Sequence, residues 1–255
     1  MDGSVWTLLV ESFPKIILPG LTLTLPMTVV SFLCAFFIAI VNAMIQFGNV
    51  PVLKQISRLY VWIMRGTPLL IQIYIVFFGL PSIGVLIDPI PAALIVFSLN
   101  EGAYCTETLR GCLESVPKGQ MEAGYCVGMS YLQIMRRIVL PQALKTAFPS
   151  LSNSFISMVK DMSLTASIAV AEMFYATQRL VARTYKSLVL YMELAFVYLI
   201  FCTVLTFVQR LIERKLGIGT AGGSAVRENR KASQKGGIFG RFFGKFGEVK
   251  PHAGA

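Results

Sequence analysis

Residues 16–45 read IILPGLTLTLPMTVVSFLCAFFIAIVNAMI and carry no charged side chain. A helix of roughly 20 apolar residues is long enough to cross the hydrocarbon core of a bilayer. The hydroxyl groups of this stretch, such as those of Thr28 and Ser31, can donate to carbonyl oxygens of their own helix and so do not oppose insertion. Because no small-residue cleavage site follows a positively charged start, we expect a retained transmembrane helix rather than a removed signal peptide.

Four more apolar windows follow, at residues 61–80, 90–113, 148–173 and 188–212. Of the 255 residues, 55% are hydrophobic and 14% are charged, whereas a soluble domain usually has about 25% charged residues. We therefore predict an all-α integral membrane protein with about five transmembrane helices. The single histidine, His252, excludes internal His-ligated metal centres and His-based triads, so we expect no catalytic residue, no metal and no cofactor bound by this chain.

Lysine and arginine are unevenly distributed among the segments that join these windows. Most of the 23 basic residues fall at residues 54–65, 110–145 and 210–250. Since segments rich in Lys and Arg stay in the cytoplasm, we predict that the amino terminus lies outside and the carboxyl terminus inside. This orientation also explains the net charge of +10 without nucleic-acid binding, which is the competing explanation for a basic protein.

The two ends of the chain differ in composition from the apolar windows. Residues 1–15 are predicted to be an extracytoplasmic lead-in, with Trp6 and Phe13 near the lipid headgroups. Residues 217–255 are rich in Gly, Lys, Arg and Ser, which indicates a basic, disordered cytoplasmic tail. The alternative for this tail is a surface-seeking membrane segment, because aromatic and basic residues alternate near its end. The transmembrane domain accordingly spans residues 16–216.

The polar segment between the third and fourth windows, at residues 114–148, is too polar to cross a membrane and too long for a simple turn. We expect short helices at the inner membrane surface. Within it, Glu122-Ala123-Gly124 is followed after three residues by Gly128 and, after nine more, by Ile138-Val139-Leu140-Pro141. This spacing resembles the signature E-A-A-x3-G-x9-I-x-L-P in the cytoplasmic loop of ABC importer membrane subunits. A match with fixed gaps over this length is a strong signal, whereas one glycine alone would be weak.

Further motifs between residues 18 and 216 resemble the polar amino acid branch of these importers. They are Arg65-Gly66-Thr67-Pro68-Leu69-Leu70-Ile71-Gln72, Gly102-Ala103-Tyr104-Cys105-Thr106-Glu107-Thr108-Leu109-Arg110-Gly111, Val116-Pro117-Lys118-Gly119-Gln120, Leu140-Pro141-Gln142-Ala143 and Lys160-Asp161-Met162-Ser163-Leu164. Two positions depart from the family pattern, since Gly124 stands where Ala is usual and Met162 where Thr is usual.

The resemblance implies a type I ABC importer permease whose coupling helix lies in this loop. The residues expected to couple to an ATPase are Glu122, Ala123, Gly124, Gly128 and Pro141. On physical grounds, Gly128 allows either a positive backbone φ at a turn or a close approach that a side chain would forbid. Pro141 cannot continue a preceding helix, so we expect it to fix the angle at which the chain enters the fourth span.

The resemblance also implies partners. They are a cytoplasmic ATPase dimer, a second permease chain, identical or related, and an extracytoplasmic solute-binding protein that delivers an amino acid. This chain has no G-x-x-x-x-G-K-[ST] phosphate loop, and the near approach at residues 240–245 has the wrong spacing and follows no strand. We therefore expect a transport subunit of the bacterial inner membrane that is not an enzyme, with ATP and Mg²⁺ used by the partner.

Ionisable side chains inside a membrane cost about 2.5–3.5 kcal/mol each on insertion scales, so they usually face a cavity or one another. Counting about 1.5 Å per residue along each helix brings Glu101 and the Lys160-Asp161 pair to similar depth. Carboxylates there can accept the ammonium of an amino acid, while Lys160 or a helix amino terminus can hold its carboxylate. The residues predicted to line a solute path are Asn100, Glu101, Ser157, Lys160, Asp161 and Ser163.

Several alternatives stay open. Glu101 and Lys160 can instead form an ion pair that braces two helices. Glu107 and Arg110, three residues apart on one helical face, are predicted to form a structural ion pair. For the whole chain, one alternative is a small secondary carrier or channel that works without an ATPase, although such carriers usually contain an internal repeat that the five windows do not show. Another is the membrane anchor of an enzyme complex.

Overall fold

The computed structural model describes residues 3–48 and 51–218, so the predicted tail lies almost entirely outside the described residues. The described residues form helices joined by short turns, and they include no strand. The chain divides into the units Met1–Gln209 and Arg210–Ala255. The cavity, groove and loop analysed below all lie in the first unit.

The first span is part of an unusually long helical segment. Helix α1 (Gly3–Pro19) continues through a π-helical turn (Gly20–Thr24) into helix α2 (Leu25–Phe47). The apolar helical run covers 43 residues, which at about 1.5 Å per residue is roughly twice the thickness of a hydrocarbon core. The predicted lead-in is therefore helical from Gly3 onward and continues directly into the first span.

The second predicted span, residues 61–80, is wrong as a single helix. Helix α3 (Pro51–Gly66) ends before Thr67, and helix α4 (Leu69–Tyr74) then continues through a π turn (Ile75–Gly79) and a 3₁₀ turn (Leu80–Ile83). The axes before and after the break differ by 104°. Because Pro68 disfavours helical geometry at the residue before it, the helix cannot pass through this point.

Helix α5 (Pro89–Glu114) agrees with the third window and packs most extensively against α2. The contact face of α2 consists of small side chains at helical spacing, including Ser31, Ala35, Ala39 and Ala43, all at most 1% exposed. A Cβ at Gly102 of α5 would lie 3.0 Å from the Cγ2 atom of Ile38. Small side chains on both helices thus allow the two backbones to approach closely, as membrane helix pairs require.

The loop after α5 contains short helices, as the sequence predicts. Helix α6 (Lys118–Cys126) is followed by helix α7 (Tyr131–Ile134), a π turn (Met135–Val139) and helix α8 (Leu140–Asp161). The path is helical from Tyr131 to Ile168, so the helix that contains the start of the fourth predicted window, residues 148–173, begins well before residue 148. The expectation that Pro141 ends a preceding helix is wrong, because the π turn before it accommodates the proline.

A 3₁₀ turn (Met162–Ile168) ends α8, and helix α9 (Met173–Thr184) and helix α10 (Ser187–Lys215) follow. By length and composition, two helical segments of the described chain qualify as membrane spans, and four do if each bent pair counts as one. Helix α5 is not among them, and its polar residues Asn100, Glu101 and Glu107 lower its hydropathy. This criterion therefore gives at most four spans in the described residues, one fewer than the five predicted from the apolar windows.

The three π turns found in residues 3–48 and 51–218 share one sequence feature, a Leu-Pro pair that follows directly. In each, the leucine N–H donates to the carbonyl five residues earlier: Leu25 to Gly20, Leu80 to Ile75 and Leu140 to Met135. A proline inside an α-helix lacks an N–H and its ring clashes with the carbonyl four residues before it. The wider π turn lets these helices continue through proline.

Gly20 gives a test of the packing around the first π turn. A Cβ at this position would lie 2.5 Å from the Sδ atom of Met173 and 2.8 Å from the Cζ atom of Phe201. We expect Gly20→Ala to lower the free energy of unfolding by about 1–3 kcal/mol through overcrowding, measured by thermal unfolding in detergent. Gly111→Ala is the control, because a Cβ there meets nothing within 4 Å. Equal effects of the two changes would contradict this packing.

Candidate functional site

A polar cavity of about 550 Å³ lies between helices α5 and α8, next to the break between α3 and α4. Its lining residues are Leu69, Asn100, Glu101, Tyr104, Ser150, Asn153, Ser154, Ser157, Asp161 and Leu164. Four of the six predicted solute-path residues are among them. The cavity therefore brings two carboxylates together with hydroxyl and amide groups in a helical, largely apolar protein.

Glu101 projects from α5 into this cavity and is held by neutral donors. The Cys105 Sγ atom lies 3.5 Å from the Glu101 Oε1 atom, and the Ser154 hydroxyl also hydrogen bonds to this carboxylate. Asp161, at the last residue of α8, is exposed to the cavity. Neither carboxylate belongs to an ion pair within residues 3–48 and 51–218. The cavity is therefore rich in acceptors that a cation can use.

Lys160 and Ser163 do not line the cavity. Lys160 is exposed, and no ion pair joins it to Glu101 in the described part of the chain, so the proposed brace between these two side chains is absent there. Successive helical residues point about 100° apart, so Lys160 does not share the cavity face of Asp161, although its charge still acts on the Asp161 carboxylate. Ser163 lies in the 3₁₀ turn and hydrogen bonds to Tyr198, outside the cavity.

Asn100 lines the cavity, but its side-chain amide forms hydrogen bonds at the break between α3 and α4. The Asn100 Nδ2 atom donates to the Met64 carbonyl and to the Gln72 Oε1 atom, both at 3.1 Å. Gln72 Nε2 in turn donates to the Met64 carbonyl at 2.9 Å and to Thr67 Oγ1 at 2.8 Å. These two side chains thus satisfy a carbonyl that the broken helix leaves without a backbone donor.

Sequence reasoning missed several of the cavity residues on α8. Ser150, Asn153 and Ser154 lie on the same face as Ser157 and Asp161, at spacings of three, four, seven and eleven residues. This is a polar stripe at helical period, and it was readable from the sequence. The stripe lies inside the predicted window 148–173, but the candidate residues there were chosen by depth along the helix and not by helical period.

A ladder of four charged side chains crosses from α3 to the end of α5. Arg65 Nη1 lies 3.5 Å from Glu107 Oε2, Arg110 Nη2 lies 3.2 Å from the same oxygen, and Arg110 Nη1 lies 2.7 Å from Glu114 Oε1. The Arg65 guanidinium also lies 5.3 Å from the ring centre of Tyr104, a cavity residue. The predicted Glu107 and Arg110 contact is thus part of a larger network that ties the end of α3 to α5.

The loop forms a compact knob from α6 and α7. Gly128 has a φ of 77°, the left-handed conformation that the sequence predicted, and the Met129 N–H donates to the Gly124 carbonyl at 3.0 Å. Ser130 and Gln133 form a capping box at the start of α7. Gly124 is buried, and a Cβ there would lie 2.7 Å from the Cγ1 atom of Ile134. Gly128 therefore allows the turn between α6 and α7, and Gly124 allows α6 to pack closely on Ile134.

The outer surface of the knob is formed by other residues. Glu122 and Ala123 are exposed on α6. Three apolar side chains beside them are also exposed: Tyr125 at 51%, Val127 at 73% and Leu132 at 66%. An exposed apolar patch of this kind is typical of a contact surface for another protein. Pro141 lies behind the knob, in the helix that leads to the cavity.

A polar cavity between apolar helices, together with a helical loop that exposes apolar side chains, is typical of a membrane transport subunit. Residues 31–218 match the family described as "Binding-protein-dependent transport system inner membrane component". The chain belongs to this family and is a multi-pass permease subunit of the inner membrane. The resemblance inferred from the loop motif is thereby confirmed.

Curated relatives and solved structures agree with this assignment. The chain is 44% identical to the L-cystine transport system permease protein TcyB of Bacillus subtilis, over 83% of this chain and 91% of that protein. It is 31% identical to the glutamine transport system permease protein GlnP of Escherichia coli strain K12, over 84% and 98%. A crystal structure of an amino acid ABC transporter with histidines matches with a TM-score of 0.75 and 28% identity, over 81% and 96%.

The contact between Gly124 and Ile134 can be tested by a double-mutant cycle. We expect Gly124→Ala alone to destabilise the protein by about 1–3 kcal/mol, because its Cβ meets a fully buried side chain. Ile134→Ala alone should cost about 2–5 kcal/mol through the cavity it leaves. The double variant should cost less than the sum, since each change relieves the other. Thermal unfolding of the four proteins in detergent measures this coupling.

Gly119→Ala is the matched control, because Gly119 lies on the same helix and a Cβ there meets nothing within 4 Å. That change should leave the unfolding temperature unchanged or raise it. Strict additivity of the two single changes would show that Gly124 and Ile134 do not share the space described here.

Proposed function

We propose that this chain is the permease subunit of an ATP-driven importer for a polar amino acid. The cavity beside α5 and α8, with two carboxylates that lack ion-pair partners in the described chain, is the observation that carries this proposal. The family membership gives the transport role, and the names of the relatives, which include cystine and glutamine permeases, indicate the substrate class.

The cavity chemistry suits a zwitterion. Glu101 and Asp161 provide acceptors for an ammonium group, and these are stronger acceptors than neutral oxygens. Donors for the substrate carboxylate come from the hydroxyl and amide groups of the α8 stripe, such as Ser157 and Asn153. Lys160 lies outside the cavity lining, so these neutral donors replace it in our hypothesis. A volume of about 550 Å³ falls within the usual range for small-molecule sites.

Coupling to the energy source takes place at the knob. In this proposal a separate cytoplasmic ATPase dimer, which binds ATP and Mg²⁺, receives the exposed side chains Tyr125, Val127 and Leu132 together with Glu122. A second permease chain, identical or related, completes the path across the membrane. An extracytoplasmic solute-binding protein delivers the amino acid on the side of the amino terminus. The loaded binding protein and ATP-driven closure open the path outward, and hydrolysis resets it.

A bulky residue at Gly128 tests the coupling. Valine is strongly disfavoured at a φ of 77° and would distort the turn that closes the knob. We expect Gly128→Val to abolish ATP-dependent amino acid uptake, at least tenfold below the parent, although the protein still reaches the membrane. Uptake of a radiolabelled amino acid into vesicles that contain the purified complex and binding protein measures the effect.

Gly84→Val is the matched control. Gly84 has a φ of 81°, a Cβ there meets nothing within 4 Å, and it lies in a turn far from the loop in the chain. This change carries the same backbone strain but should preserve most of the uptake. Vesicles that lack the ATPase distinguish the proposed function from its alternative, because a secondary carrier or channel would take up solute without an ATPase. Full uptake by Gly128→Val, or uptake without ATPase, would refute the proposal.

Replacement of Glu101 tests the cavity. We expect Glu101→Gln to leave the assembled complex intact but to change the order of preference in a competition panel of amino acids, with cationic substrates weakened by about tenfold or more. The physical reason is the loss of one charge from a partly buried acceptor set. Glu11→Gln, an exposed residue of α1, is the control. An unchanged preference order would show that the substrate does not contact Glu101.

A further inference from the structure

Helix α3 has three distinct faces, and the first packs on the protein itself. Ser57 and Val61 are buried. The Ser57 hydroxyl donates to Asn42 Oδ1 at 2.8 Å and accepts from Gln46 Nε2 at 2.9 Å, at the end of α2. The Tyr60 hydroxyl donates to the Leu99 carbonyl of α5 at 2.5 Å. This face fixes the helix against α2 and α5.

The second face of α3 is apolar and exposed. It consists of Val52, Ile56, Leu59 and Ile63, at spacings of four, seven and eleven residues, and each is at least 43% exposed. In a protein of the membrane, an exposed apolar stripe of this kind contacts lipid hydrocarbon. The stripe is continuous over three helical turns, so it is long enough to lie along a lipid chain.

The third face of α3 is basic. Lys54, Arg58 and Arg65 follow one another at spacings of four and eleven residues. Trp62, which is 72% exposed, lies between this stripe and the apolar face. Basic side chains next to a tryptophan and an apolar stripe are the arrangement of a helix at the interface between headgroups and hydrocarbon.

A groove of about 380 Å³ lies at the basic face, lined in part by Gln46, Arg58, Trp62, Arg65 and Glu107. The charge of Glu107 is already engaged by Arg65 at 3.5 Å and by Arg110 at 3.2 Å. Arg58 takes part in no ion pair within the described ranges 3–48 and 51–218. The groove therefore presents a guanidinium whose charge is not compensated by a protein carboxylate.

We propose that this groove binds the phosphate of an anionic phospholipid, with the headgroup at Arg58 and the acyl chains along the apolar face of α3. An uncompensated guanidinium suits a phosphate oxygen pair, and Trp62 lies where the glycerol region would be. A free phosphate ion would satisfy Arg58 but would leave the adjoining apolar face uncovered. On the proposed orientation the lipid belongs to the cytoplasmic leaflet, where anionic lipids attract basic segments.

Native mass spectrometry of the full-length protein, purified in mild detergent, tests this site. Dioleoyl phosphatidylglycerol and dioleoyl phosphatidylcholine have the same acyl chains, so their difference in retention reports on headgroup charge. We expect the parent to retain phosphatidylglycerol preferentially. Arg58→Gln should weaken that binding about fivefold, in line with about 1 kcal/mol for one basic residue near anionic headgroups. Adding Lys54→Gln should weaken it further, to about 25-fold.

Arg183→Gln is the matched control, because Arg183 is also an exposed arginine, on α9 and away from the groove. It should leave phosphatidylglycerol binding unchanged. Equal retention of the two lipids by the parent, or an unaltered preference in Arg58→Gln, would overturn the proposal. Two further results would also overturn it: displacement of phosphatidylglycerol by millimolar inorganic phosphate, and cross-linking of the Leu59→Cys variant through its new thiol to a second copy of the chain.

Discussion

The close packing of α2 on α5 is the interaction on which the rest of the structure depends. In a membrane, apolar side chains gain little by leaving lipid for another helix, so helices associate through dense van der Waals contact. The buried alanines of α2 and the glycine and alanine pair at residues 102–103 of α5 provide that contact. Because this pair is closely packed, α5 can carry several polar residues and still hold its place against α2.

Helix α5 uses successive turns for different tasks. Asn100 satisfies the carbonyl at the break between α3 and α4, while Glu101, one residue later, turns to the cavity. Tyr104 lies between the cavity and Arg65, and Glu107 joins Arg65 to Arg110. The helix break, the cavity and the charged ladder are therefore not independent features. A displacement of α5 would disturb the helix break, the cavity and the charged ladder together, because one run of polar residues on α5 contributes to all three.

The sequence predicted what depends on composition and local spacing. Apolar windows located the helices, the loop motif located the knob, and Gly128 has the positive φ expected of it. The prediction failed where prolines interact with longer-range structure. Pro68 produces a 104° bend because Asn100 and Gln72 are available to satisfy the broken helix. Pro141 produces no break, because a π turn absorbs it. A proline alone does not distinguish these outcomes.

Two of the six predicted solute-path residues illustrate a second limit. Counting depth along a helix places residues at a level in the membrane but does not fix the direction of each side chain. Lys160 and Asp161 are at the same level, yet only Asp161 reaches the cavity. Ser163 follows the change from α-helix to 3₁₀ helix, which rotates it toward Tyr198. The polar stripe at residues 150–161 carries the missing directional information, since its period identifies the cavity face of α8.

The helical path from Tyr131 to Ile168 gives the knob a direct mechanical connection to the cavity. Ile134 packs against Gly124 at one end of this path, and Asp161 lines the cavity near the other. A helix resists compression and bending because its backbone hydrogen bonds act together, so a displacement of α7 moves the cavity face of α8. The π turn at Met135–Val139 is the one place along α7 and α8 where this path has a wider hydrogen-bond pattern. Regular α-helix resumes at Leu140, so Pro141 lies in the first turn of α8, where a helix tolerates a residue without an N–H. The proposed coupling between the knob and the cavity therefore depends on the regular helix on both sides of this π turn.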